Sequence, residues 1–186
     1  MNTNHSSSRE RIVRDLLSLK VVQTIAALPR SKEEIRAYDP ELDDVTSVIA
    51  DACEVLAESG GVEFVVSGFV DEPWPVDVRT DLSVVLEQLP AALTRLRARK
   101  NFDINFYEQG IERELMFRVS NEPIVTVTCV SWDATWSPAV ETVVVAREDL
   151  ELMLFTLGTD FLTMLRMTSL ELVEHELLKP WIQAVG

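Results

Sequence analysis

The chain has 186 residues, 47% of them apolar and 26% charged, enough for one sizeable core and short of what a second domain needs. Its 17 Lys and Arg face 31 Asp and Glu, a formal net charge of −14. That sign argues against nucleic acid and anionic membrane as partners, because phosphates are repelled, and leaves two readings open: solubility alone, or a basic partner.

Residues 1–8 are polar and read as a disordered tail ahead of one domain over 9–186. Ser7 and Glu10 have the spacing of a capping box and open a predicted helix over 9–28. Its apolar residues nearly encircle it, with Ile12, Leu16 and Leu19 on one side and Leu17, Val21 and Leu28 on another. A helix of that kind is buried on two sides or packs against a second copy, so a homodimer through it is one expectation. Glu10, Asp15, Lys20 and Gln23 argue against a targeting peptide, and the cytoplasm is the expected compartment. No run reaches the length of a membrane span.

Asp39 at the cap and Pro40 at the first helical position start a second predicted helix, stopped after Ser59 by Gly60 and Gly61. Leu42, Val45, Ile49, Ala52 and Leu56 share one face. Asp44, Asp51, Glu54 and Glu58 fall within an arc of about 80° on the other. They form either a solvated face or an acidic binding stripe. A strand follows over 62–70, and the prolines around Trp74 then force extended backbone. A third helix over 81–99 keeps its apolar spacing across Pro90, which predicts a kink there or a junction of two helices.

Three segments then alternate with period two. Phe102, Ile104 and Phe106 face one way, as do Leu115, Phe117 and Val119, and Val125, Val127 and Cys129. With a short strand over 141–145 they predict an antiparallel meander. A helix over 148–167 carries the apolar stripe Leu150, Met153, Leu154, Leu157, Phe161 and Leu165, and a last helix follows Ser169. The fold class expected is α+β: a mostly antiparallel sheet of four or five strands with helices packed on one face.

Chemistry is sparse. Glu171 and His175 stand one helical turn apart, the spacing of a shared metal site, but the third and fourth ligands are missing nearby in sequence. There is no nucleophile elbow and no phosphate loop. Cys53 and Cys129 lie in apolar surroundings and read as buried free thiols. A non-catalytic chain without metal or cofactor is expected. The tryptophans offer more: Trp74 lies between two prolines, and Trp132 and Trp136 bracket Asp133 at a strand end. Loop aromatics beside carboxylates are what interface hot spots look like; the alternative is that each closes the core beneath a loop.

Three strings, DLSVVLEQLPAAL over 81–93, FYEQGIER over 106–113 and WSPAVET over 136–142, together resemble small bacterial proteins of the polymorphic-toxin immunity type. The resemblance covers roughly residues 80–165 and rests on general pattern. It implies a protein that binds and blocks a cognate toxin and carries no catalytic residues. On this reading the chain is a protein-binding module, an inhibitor of a basic toxin. Its contacts would come from Asp71, Glu72, Trp74, Trp132, Asp133 and Trp136, helped by Asp44, Asp51, Glu54 and Glu58. The alternative is a small-molecule-binding or enzymatic domain with its site between helices and sheet.

Overall fold

The structure is a computed structural model that describes residues 11–13, 15–23, 36–39, 41–69, 74–106, 112–132 and 136–185. In chain order the elements are β1 (Arg11–Ile12), β2 (Leu17–Val21), α1 (Val45–Ser59), β3 (Val62–Val66), α2 (Asp81–Arg97), β4 (Phe102–Phe106), β5 (Arg113–Val119), β6 (Ile124–Ser131), β7 (Thr142–Ala146), α3 (Arg147–Thr168), α4 (Leu170–Val173) and α5 (Lys179–Val185), with a 3₁₀ turn at Glu176–Leu178. The fold is α+β. The strands β4 to β7 form the antiparallel meander, β1 adds to β7 in parallel, and the sheet order is β1-β7-β6-β5-β4. A separate two-stranded sheet pairs β2 with β3 antiparallel.

The register explains the core. Phe102, Phe117, Val127 and Val143 lie in one row across the sheet, and Ile104, Leu115 and Cys129 in the next. All are buried on the face covered by α2 and α3, in one cluster with Leu157 and Phe161. Phe102 stacks on Phe117 at 4.4 Å and 6°. The opposite face carries Asp103, Glu114, Arg118, Thr126 and Thr128 and stays partly or fully exposed. Cys53 and Cys129 are buried free thiols. Among the described residues no helix is long and apolar enough to cross a membrane.

The first predicted helix is not one. Its described part forms β1 and β2, while Ser7, Glu10 and residues 24–28 lie outside the described residues. The local sequence satisfies both periods because it is so apolar. Leu17 and Leu19 alternate with Ser18 and Lys20, and the Val-rich β3 supplies a partner that a lone helix lacks. Leu16, Leu17 and Leu19 are spent on the chain's own core, which removes the basis for a homodimer through that helix.

The second helix also starts later than expected. Asp44 is its cap, accepting from the Thr46 amide at 2.8 Å, while the Ser47 hydroxyl accepts from the Asp44 amide. Asp39 instead builds the turn before it. Its carbonyl accepts from the amides of Leu42 and Asp43 at 3.0 and 2.7 Å, and its carboxylate from Glu41 at 2.9 Å. Gly60, at φ 65°, ends the helix in the left-handed conformation that glycine adopts most easily. Pro90 neither breaks nor splits α2, which runs as one helix through it.

Candidate functional site

Three places were singled out by sequence or by shape. The first is the acidic face of α1. Asp44 is committed to the cap, and its hydrogen bonds, first from the Thr46 hydroxyl, hold its carboxyl below the usual range. Asp51 accepts from the Tyr38 hydroxyl at 2.6 Å and from Arg36 Nε at 3.0 Å. Glu54 pairs with Arg79, and Glu58 is not free either. Asp51 and Glu54 are therefore engaged by basic and hydroxyl neighbours brought from elsewhere in the chain, which helix geometry alone cannot reveal.

The second place is the tryptophan cluster at one end of the main sheet. Trp74 is 4% exposed and packs against Phe69, Phe106 and Trp136 with ring centres 5.7, 5.6 and 5.9 Å away. It is a core residue and not a displayed anchor. Trp136 is half-buried beside it. Arg113 enters the same box, 6% exposed, with its guanidinium 3.4 Å from the Trp136 ring centre and 4.8 Å from that of Trp74. The two indoles meet at 79°, and the guanidinium lies in the corner between them, a cation–π contact to both in a largely dry setting. Trp132 is the one displayed aromatic of the three, at 64% exposure. Asp71, Glu72 and Asp133 lie outside the described residues. Sequence reading missed Arg113, although strand parity predicts it: the alternation that turns Leu115 and Phe117 inward turns Arg113 inward too.

The third place is a groove of about 500 Å³ between α3 and the start of β2, lined by Asp15, Leu17, Ser18, Asp149, Leu152, Met153, Thr156, Leu157 and Asp160. Leu17, Met153 and Leu157 make its floor, three carboxylates stand around it, and none of its lining residues is basic. Desolvation raises the Asp160 carboxyl above its ordinary value. Met153 ties the two walls together, its sulfur accepting from the amides of Leu16 and Leu17 at 3.2 and 3.3 Å. Leu152, 64% exposed, forms the rim shared with a shallower hollow lined by Arg97, Glu148, Glu151 and Phe155. The sequence held a trace of this site: Asp149, Leu152, Thr156 and Asp160 recur at helical spacing on one side of the apolar stripe of α3. Asp15 could not be placed there without knowing that β2 packs against α3.

His175 lies past the end of α4, its ring tilted against that of Tyr38 with centres 4.6 Å apart and its Nδ1 accepting from the Leu177 amide at 3.3 Å. Among the described residues no three His, Cys, Asp or Glu side chains converge as a metal set. Compared with family models, curated proteins and solved structures, the chain matches none of them.

Proposed function

We propose that this chain is a protein-binding module that captures a basic protein partner through the groove between α3 and β2. The observation that carries this reading is the groove's composition: an apolar floor, an exposed Leu152 and three carboxylates with no basic lining residue, on a chain of net charge −14. Apolar contacts would supply the affinity, and the acidic walls would steer a cationic surface to them. Inhibition of the partner follows where the captured surface is its substrate or nucleic-acid site, which is how an immunity-type protein would act.

The test begins with a partner cross-linked in the native host, then purified, and continues with association kinetics at two salt concentrations. The triple variant Asp15→Asn, Asp149→Asn, Asp160→Asn is expected to slow association about tenfold and to flatten its salt dependence. The variant Asp44→Asn, Asp51→Asn, Glu54→Gln, whose carboxylates are already engaged, is expected to leave association within about twofold. An acidic partner, or a triple variant that binds like the parent, overturns the reading.

One observation favours a second reading. The groove's volume lies within the range of small-molecule sites, so an amphipathic amine would fit the same walls. A cationic metabolite retained in native mass spectra, and lost from the triple variant, would put that reading first.

A further inference from the structure

The register of β2 on β3 decides which of its backbone groups are used. The Val22 amide donates to the Gly61 carbonyl at 3.0 Å, and the Ser67 amide to the Leu16 carbonyl at 3.0 Å. Those are the ends of a ladder in which the Leu16 carbonyl, the Val22 amide and the even-numbered Ser18 and Lys20 between them face β3. The N–H and C=O groups of Leu17, Leu19 and Val21 therefore point to the opposite edge. Among the described residues β3 is the only strand that pairs with β2, so this edge has no second strand. The Leu17 amide is met there by the thioether of Met153, a weak and adaptable acceptor. The edge is also one wall of the acidic groove, since Leu17 and Ser18 line it.

We infer that an extended, cationic segment of a protein partner adds to β2 as a third strand, lying along the groove that β2 and α3 border, and this rests on the binding role proposed above. The main-chain groups of Leu19 and Val21 would bond the incoming strand, whose carbonyl would take the Leu17 amide over from the Met153 sulfur. Charge complementarity selects the occupant. Asp149 and Asp160 are about 16 Å apart along the axis of α3. Two Lys or Arg on the same face of an extended segment, separated by three residues, are about 13 Å apart, and their long side chains span the rest. Leu152 and Met153 between the two carboxylates would receive an apolar side chain. Lys20, the one basic residue of β2, lies opposite the acidic Glu63 in the register and is not among the residues that line the groove. Strand addition of this kind takes affinity from main-chain hydrogen bonds and specificity from alternate side chains.

The probe is an acetylated peptide of alternating Val and Thr carrying two Lys separated by three residues. It is compared with two versions N-methylated at one or the other alternate set of amides. Only one set can face β2, so one version is expected to bind at least about tenfold more weakly and the other within about twofold of the parent peptide. Binding should also slow hydrogen exchange at the Leu19 and Val21 amides. In the protein, Val21→Pro removes an amide that the β2–β3 ladder does not use, and is expected to reduce peptide binding about tenfold with the fold retained. If that variant fails to fold, the methylated peptides still decide. Equal binding by both methylated versions, binding without protection of Leu19 and Val21, or no binding of the parent peptide overturns strand addition. Any of these can occur while the Asp15, Asp149 and Asp160 variant still slows capture of the whole partner. The binding role then stands and only its mode falls.

Discussion

A proline inside a helix leaves a carbonyl without its donor, and here a tryptophan from the far end of the chain supplies one. Pro90 has no amide to give to Leu86, one turn back in α2. The Leu86 carbonyl accepts instead from the indole N–H of Trp181 in α5, at 2.7 Å in a buried setting. That single bond explains why α2 passes through Pro90 unbroken and why a short last helix is fixed to it. Trp181→Phe should cost about 1–3 kcal/mol, the penalty of a buried carbonyl left without a donor, with lost packing on Phe161 in addition. In a Pro90→Ala background the residue at 90 again donates to Leu86, so the same substitution should cost less. Denaturant unfolding of the four proteins measures the coupling. A coupling of at least about 0.5 kcal/mol is expected, and strict additivity would show that Trp181 acts by packing alone.

Among the elements, the meander and the helix across it are the most tightly determined. Phe117 sits in the interior strand β5, fully buried and stacked on Phe102, beneath the helices. Phe117→Ala should destabilise the protein by about 3–5 kcal/mol in denaturant unfolding, because the rigid row around it cannot close the void. A cost below about 1 kcal/mol would mean that the row relaxes freely. These elements were legible because period-two alternation under one buried face admits a single inward set. The segment holding Leu16, Leu17 and Leu19 was not, since its apolar residues fit a helix and a strand alike and β3 decides between them. The same gap hid the groove. Asp149 and Asp160 could be put on one side of α3 from spacing, but the opposing wall, with Asp15 and Ser18, exists only once β2 is known to be a strand. The prolines that flank Trp74 suit a surface anchor and a cap on the core alike. Its burial follows from Phe69, Phe106 and Trp136, which come together only in the folded sheet.

At the scale of the whole molecule, the acidic excess sets how stability varies with pH, and two groups of carboxyls act in opposite senses. Burial is the main cause that raises the Asp81 carboxyl, which is nearly inaccessible at the start of α2 and accepts from the Asp77 amide at 2.9 Å. Burial also raises Asp160 in the groove. For these two the folded value lies above the unfolded one of about 3.9, so the native state binds protons first and acidification through the folded values stabilises it. Asp43 and Asp44 are lowered, chiefly by the Asp39 amide and the Thr46 hydroxyl respectively. Their contribution is complete above the unfolded value and is lost as pH falls through their lowered folded values. Protonation also reduces the self-repulsion of a chain at −14, in the same direction as Asp81 and Asp160. Stability should therefore rise on acidification from neutral pH towards the carboxylate range, pass through a maximum there and fall below about 3.9. Urea midpoints across that range test it. Asp81→Asn with Asp160→Asn should flatten the upper limb and leave the acid fall, whereas a parent protein whose stability declines steadily from neutral pH downward would show that burial of these two carboxyls does not govern the profile.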